Sequence, residues 1–255
     1  MDAIVNRRVN LALLCIGGLA LAGVTVSPGH AADVAEIYVV QGLPGKTLDV
    51  SIDGSSVERG VATAKVVGPF EVDAGSRTVT FSDGGDTVLE RKLDVEAGSS
   101  RDVVIHLPVS ASADPTMTEF ENDLSSPPQG KATLAVAHTA AVPPADIRVD
   151  GKVLFENVAN GESLTLVVPA DTYTVDIVPT GTNGPAVLGP LDLPVKAGGL
   201  DRVFAVGDPT KKTMNVAAHS IATGSSGSDR PDRVDTGTGG QATGYAAPLG
   251  AGLFD

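Results

Sequence analysis

The sequence Asp-Val-Ser-Ile-Asp-Gly at residues 49–54 returns as Asp-Ile-Arg-Val-Asp-Gly at residues 146–151. In both stretches apolar and polar side chains alternate, and an Asp-Gly pair closes the run. Alternation with a period of two predicts a half-buried strand, and Asp-Gly tolerates the positive φ of a tight hairpin. The same strand-and-turn unit is therefore predicted twice.

The repeat extends well beyond these two stretches. Three gap-free blocks hold the same order in both copies: residues 35–61 and 132–158, 74–79 and 170–175, 93–98 and 193–198. Each copy consists of short alternating runs separated by turn residues, without a sustained apolar period of 3.6. We therefore predict an all-β protein with two tandem immunoglobulin-like β-sandwich repeats, with an open barrel as the alternative topology.

Changes in composition divide the chain into five segments. Residues 1–31 are predicted to be a signal peptide, residues 32–108 the first repeat and residues 131–221 the second. Residues 109–130 between the repeats are rich in proline, serine and acids, which is typical of a linker. Residues 222–255 are rich in glycine, serine and threonine and lack the apolar content for a core, so we predict a disordered tail.

The N-terminus has the three parts of a signal peptide. Arg7 and Arg8 precede an apolar stretch at residues 9–26, and small residues predict a cut after Ala31. The alternative is a retained membrane anchor. Cleavage would remove Cys15, the single cysteine, so the mature chain would form no disulfide. We expect a secreted, extracellular or cell-wall-associated protein without a stable membrane span after cleavage.

The charge balance excludes one class of partner. The chain has 31 acidic and 18 basic residues and a formal net charge of −13. The acids are spread through both copies, and no basic stripe is present to neutralise phosphates. Nucleic acid is therefore not expected as a partner, and the charge favours the solubility of an exported protein.

The second copy carries two motifs of a known family. Residues 137–139 and 142–151 resemble the signature of the DUF4397 domain, and residues 168–175 resemble a later segment of that family. The resemblance is clear over residues 131–221 and faint over residues 35–108. It implies an exported bacterial β-domain at the cell envelope, and it implies no mechanism because the family has no defined activity.

His138 is the one histidine that belongs to this signature, and Gln41 stands at its place in the first copy. As a catalytic base it would need a nucleophile and an orienting acid. Ser163 and Thr139 are the nominated hydroxyls, although no spacing supports either. The structural alternative is a ring that holds the following loop in place. The candidate binding residues are His138, Pro143, Pro144 and Asp146.

A calcium loop is the other candidate site. Asp49, Ser51 and Asp53 match its first three ligand positions. Position 12 is Gly60 rather than Glu, and the second copy places Arg148 where a cation would need an oxygen. The hairpin interpretation is therefore favoured, and no metal, cofactor or catalytic residue is predicted.

Duplication without a catalytic constellation favours a non-catalytic extracellular or cell-envelope binding module. Its partner would be an unidentified envelope or extracellular protein or a glycan. A structural spacer or stalk of the envelope is the first alternative. A hydrolase-type enzyme that uses His138 is the second.

Overall fold

The structure is a computed structural model that describes residues 34–223. The predicted signal peptide and residues 224–255 of the predicted tail lie outside the described residues. Within residues 34–223 every regular element is a β-strand. The all-β prediction is confirmed.

Eight strands form the first domain, in two four-stranded sheets. The sheet orders are β4-β1-β7-β8 and β3-β2-β5-β6. The strands are β1 Val34–Gln41, β2 Thr47–Ile52, β3 Ser55–Ala62, β4 Val66–Asp73, β5 Gly75–Asp83, β6 Asp86–Val95, β7 Ser100–His106 and β8 Thr116–Glu121.

Eight further strands form the second domain with the same plan. The sheet orders are β12-β9-β15-β16 and β11-β10-β13-β14. The strands are β9 Lys131–Ala140, β10 Ala145–Val149, β11 Lys152–Val158, β12 Glu162–Pro169, β13 Thr172–Pro179, β14 Leu188–Pro194, β15 Gly199–Gly207 and β16 Asn215–Ala222.

Adding eight to each strand number converts the first domain into the second, so the predicted duplication is present in the fold. In each domain the two sheets enclose one apolar core. Phe81, Leu48 and Ile105 are fully buried in the first core, and Ile147 and Val136 lie in the second. The arrangement is a sandwich of two sheets rather than an open barrel.

The repeated Asp-Gly pairs form the predicted hairpins. Asp53 and Asp150 have φ values of 49° and 50°, and the glycine that follows each of them also has positive φ. They join β2 to β3 and β10 to β11. Gly198 also has positive φ, but it connects β14 to β15, which belong to different sheets.

The predicted linker at residues 109–130 contains a strand. Thr116–Glu121 forms β8, which pairs antiparallel with β7 and is the edge strand of the sheet that contains β1. Prolines and acids around this segment hid the strand, because only Phe120 of its side chains is buried. The first domain therefore ends near Glu121, and the connection to β9 is shorter than predicted.

The two domains pack with one sheet of each face to face, so the molecule has four layers of sheet. We call the sheets of β1 and β9 the inner sheets. Between them lies an apolar cluster that draws on both domains. Its buried members are Val40, Val104, Phe120, Ala137, Phe204, Val206 and Ala217.

The stack has two distinct ends. At the proximal end, Gly98 N donates to Val34 O at 2.8 Å, and Ser126 Oγ donates to Thr223 O at 3.3 Å. The described chain therefore enters and leaves at the same end. The distal end is formed by the loops at residues 42–46, 107–115, 141–144, 159–161 and 208–214.

Candidate functional site

A buried charged cluster joins the inner sheets. Arg202 Nε donates to Asp102 Oδ2 at 2.8 Å, and His219 Nε2 lies 2.7 Å from Asp102 Oδ1. The Asp102 side chain is 0% exposed and that of Arg202 is 4% exposed. Since an isolated buried charge is strongly destabilising, Asp102 and Arg202 depend on each other across the domain boundary.

Asp102 and Arg202 occupy equivalent places in the two domains. Asp102 lies opposite Tyr38 in the pairing of β7 with β1. Arg202 lies opposite Ala135 in the pairing of β15 with β9, and Ala135 is the counterpart of Tyr38. The interface therefore has an approximate two-fold relation, with opposite charges at its centre.

Aromatic rings surround the cluster. The Arg202 guanidinium lies 5.6 Å from the ring centroid of Phe120 and 5.8 Å from that of Phe204. The rings of Tyr38 and His219 are 4.6 Å apart between centroids. Cation–π contact and exclusion of water both favour a single fixed arrangement of the two domains.

The sequence reasoning missed this cluster. Its signal was present in the strands that hold it, because residues 103–105 and 203–206, directly after Asp102 and Arg202, are consecutively apolar. Such runs are typical of strands covered on both faces. His219 could not be connected with Asp102 from the sequence, because 117 residues separate the two.

His138 lies near the distal end of β9 and is 2% exposed. Ala140 N donates to its Nδ1 over 3.4 Å, and its Nε2 has no hydrogen-bond partner among residues 34–223. Burial lowers the pKa of His138, which the carbonyls of Pro143 and Val142 partly offset. Burial therefore favours the neutral form of the ring.

The hydroxyls nominated for His138 are used elsewhere. Thr139 Oγ1 donates to Ala205 O at 2.9 Å, on the neighbouring strand β15. Ser163 pairs with Ala137 and lies 3.5 Å from Arg202 Nη1, at the domain interface. Because side chains alternate along a strand, both hydroxyls lie on the opposite face of the sheet from His138.

Asp146 is a buried backbone acceptor. Asn157 N donates to its Oδ1 at 2.8 Å, and Gly181 N donates to its Oδ2 at 2.9 Å. These hydrogen bonds lower the pKa of the Asp146 carboxyl. The side chain thus fixes the bulge of β11, where Asn157 has a φ of 57°, and the turn after β13.

The prolines lie in the distal loop that follows β9. Pro143 is exposed and Pro144 is half-buried, and Pro144 O accepts from Thr180 N at 3.3 Å. The structure brings Pro143 close to His138, whereas Asp146 is directed into its own backbone contacts. The four candidate residues therefore neighbour one another without forming one polar site.

The acids of the candidate calcium loop also serve the backbone. Asp49 Oδ1 accepts from Gly60 N at 2.9 Å, so the first and twelfth positions of the supposed loop bond to each other. Asp53 Oδ1 accepts from Thr78 N at 2.8 Å, and its Oδ2 pairs with Arg77 Nη1 at 3.0 Å. Within residues 34–223 no group of three metal-ligating side chains is present.

A cavity of about 400 Å³ opens at the distal end, and we call it the distal cavity. Its lining combines the loop before β2, the loop before β8 and the loop between β15 and β16. Both domains therefore contribute to it, which is a common location for ligand sites. Among its lining residues are Leu43, Pro44, Lys46, Leu107, Pro115 and Lys211.

With this architecture the chain is a two-domain β-sandwich protein with a shared distal cavity. Residues 35–148 match the model of the family described as "Domain of unknown function (DUF4397)". The chain thus contains a DUF4397 match, which confirms the resemblance. The match covers the whole first domain and ends at Arg148 in β10, so it lies further towards the N-terminus than the motifs predicted.

Comparison with solved structures found the crystal structure of CBMbc (family CBM26) from Eubacterium rectale Amy13K in complex with maltoheptaose. The two share 11% identity, over 74% of this chain and 99% of that one, with a TM-score of 0.26. So low a TM-score carries no conclusion about fold or ligand.

Two further searches gave negative results, one among curated proteins and one along the described chain. The comparison with curated proteins found no match. Among the residues that the structure describes, no helix is long and apolar enough to cross a membrane.

Proposed function

We propose that this protein is a non-catalytic binding module of the cell envelope or the extracellular medium, and that it binds its partner at the distal end. The observation that carries the proposal is the distal cavity, which both domains line. The partner is an envelope or extracellular component, as the predicted export of the chain suggests.

The fixed arrangement of the domains supports this proposal. Asp102 and Arg202 hold the inner sheets in one register, so the loops of the two domains keep a constant relative position. Leu107 O accepts from Asn160 Nδ2 at 3.1 Å, which adds a hydrogen bond between the domains close to the distal end. A site that is organised before binding loses little entropy when the partner binds.

The path of the described chain counts against a spacer. A stalk continues from opposite ends, whereas residues 34 and 223, the first and last that the structure describes, both lie at the proximal end. The sandwiches are stacked side by side, which shortens the reach of the pair. The arrangement instead favours a head attached at one end, with the distal loops directed away from the attachment.

The surroundings of His138 count against a hydrolase. A general base has to reach a nucleophile and an orienting acid within hydrogen-bonding distance. Thr139 and Ser163 lie on the other face of the sheet, and Nε2 has no partner among the described residues.

Capture of envelope components by the full chain tests the proposal. Val88 lines the distal cavity, so Val88→Trp should fill it and reduce capture at least tenfold. Val57 is also a half-buried valine, but it lines a cavity at the proximal end, so Val57→Trp is the matched control. Equal capture by parent and Val88→Trp would refute binding at the distal end.

Localisation has its own test. If the predicted signal peptide is cleaved, N-terminal sequencing of protein from culture fluid should begin at Ala32. An intact N-terminus at Met1 in exported material would refute cleavage.

A further inference from the structure

The distal cavity differs in charge from two other cavities of similar size. Those two have volumes of about 430 Å³ each. Acids line both, including Glu121 and Asp123 in one and Glu71 and Asp73 in the other. Among the described residues that line the distal cavity, two are lysines and none is an acid. The chain as a whole has more acids than bases.

The two lysines come from different domains, and most of the other side chains that line the cavity are apolar. Lys46 lies in the loop before β2, and Lys211 lies in the loop between β15 and β16. Leu43, Leu107 and Pro115 supply apolar surface. Lysine ammonium groups beside an apolar cavity complement a ligand with an anionic group and an apolar body.

The ammonium groups retain capacity for a ligand. Lys46 Nζ donates to Asp83 Oδ2 at 2.6 Å, which uses one of its three N–H groups. Lys211 Nζ stands 3.7 Å from Asp208 Oδ2, and its side chain is 66% exposed. Each lysine can therefore donate to an added anion without losing its present partner.

Two features narrow the class of ligand. The described lining residues include no aromatic side chain on which a sugar ring would stack, which disfavours a glycan in this cavity. A volume of about 400 Å³ at roughly 30 Å³ per water-sized group holds about a dozen non-hydrogen atoms. A small molecule fills this space better than a folded partner does.

We propose that the distal cavity binds a small amphiphilic carboxylate, with its chain of about ten carbons on the apolar lining and its carboxylate at Lys46 and Lys211. This inference rests on the proposed function, because it names the ligand of the same distal end. The two lysines require the domain arrangement that Asp102 and Arg202 fix, so neither domain alone provides the site.

Calorimetric titration of the full chain with three probes of equal chain length tests the charge preference. The probes are decanoate, decan-1-ol and decylammonium, each below its aggregation concentration. Decanoate should bind once per chain and at least tenfold more tightly than decan-1-ol, and decylammonium should not bind. Added salt should weaken decanoate binding, because the attraction lies near the surface.

Lysine variants locate the site. The double variant Lys46→Gln/Lys211→Gln should lower the affinity for decanoate at least tenfold and leave that for decan-1-ol unchanged. Lys92 and Lys152 are exposed and lie outside the cavity, so Lys92→Gln/Lys152→Gln removes the same charge as a control. Its affinity for decanoate should remain within twofold of the parent.

The outcomes separate the inference from the proposed function. Equal affinity for decanoate and decan-1-ol, an equal loss in the two double variants, or no binding of decanoate overturns the amphiphile inference. The proposed function fails independently, when Val88→Trp captures envelope components as well as the parent does.

Discussion

The first and second domains share one strand order and the same Asp-Gly turns, yet several equivalent positions carry different chemistry. The first domain has Gln41 where the second has His138, and Asp102 where the second has Arg202. Gln41 donates from Nε2 to Leu43 O at 3.1 Å and to Lys46 O at 2.7 Å, and its Oε1 accepts from Leu43 N. His138 has no comparable set of bonds. The fold therefore tolerates a change of chemistry where the surrounding loop changes with it.

The largest effect is expected from making the Asp102–Arg202 pair identical in the two domains. Arg202→Asp would give both domains a carboxylate at equivalent buried positions. We expect the free energy of unfolding to fall by about 3–5 kcal/mol or more, because a buried like charge would replace the guanidinium that pairs with Asp102. Chemical denaturation of the full chain measures the loss.

The reversed pair is the control for that variant. Asp102→Arg/Arg202→Asp restores opposite charges and should recover part of the lost stability. A double variant as unstable as the single one would mean that the rings around Arg202, rather than the charge pair, determine the arrangement.

Asp49 and Asp146 are equivalent positions at which the two domains should lose different amounts of stability. Asp146→Ala leaves the N–H groups of Asn157 and Gly181 without their acceptor, so we expect a loss of about 2–4 kcal/mol. Asp49→Ala removes the single acceptor of Gly60 N at a half-buried site, and we expect about 1 kcal/mol. Denaturant midpoints of the two variants give the ratio, and equal losses would contradict this account.

An apolar substitution should cost more stability at Gln41 than at His138. Gln41→Leu leaves Leu43 N without its acceptor and removes one of the two donors to each of Leu43 O and Lys46 O, so it should cost about 1–3 kcal/mol. His138→Leu removes a ring nitrogen that has no partner among the described residues, so it should cost less than about 1 kcal/mol. A larger loss for His138→Leu in thermal melts would show that the ring stabilises its loop, as the sequence suggested.

The pH dependence should be the smallest of these effects. Burial lowers the pKa of both His138 and His106 below the unfolded value of about 6.5. As the pH falls, the histidines of the unfolded chain are protonated before those of the folded chain. The stability that the neutral buried histidines contribute is therefore complete above about pH 6.5 and is lost as the pH falls below it. The slope is at most about 1.4 kcal/mol per pH unit for each histidine.

Urea titrations between pH 5 and pH 8 measure that slope. His138→Leu should remove its own share, since a leucine has no proton to exchange. An unchanged slope in this variant would assign the pH dependence to other groups.

The sequence predicted those features that depend on local pattern. Alternation identified most strands, and the Asp-Gly pairs identified two hairpins through their positive φ. The strand Thr116–Glu121 escaped because its acids and the prolines around it are also typical of a linker, and only one of its side chains is buried. An exposed edge strand and a linker have the same local composition here, so the pattern alone does not distinguish them.

The functional geometry could not be predicted because it depends on how the domains meet. The distal cavity combines loops from residues 43–46, 107–115 and 211–213, and no local motif connects them. The contact of Asp102 with Arg202 spans 100 residues of sequence. His138 and Asp146 were chosen as candidates because they belong to one motif. Membership of a motif did not distinguish a binding role from the structural role of Asp146, which accepts backbone hydrogen bonds.

The approximate two-fold interface has a consequence for how the protein behaves on dilution. In a symmetric dimer of identical chains, the halves separate as the concentration falls, and each residue on the axis faces its own copy. Here the segment between β8 and β9 tethers the halves, so their effective concentration is set by that short connection. A two-domain site of this kind therefore stays assembled at concentrations at which a dimer of separate chains would dissociate.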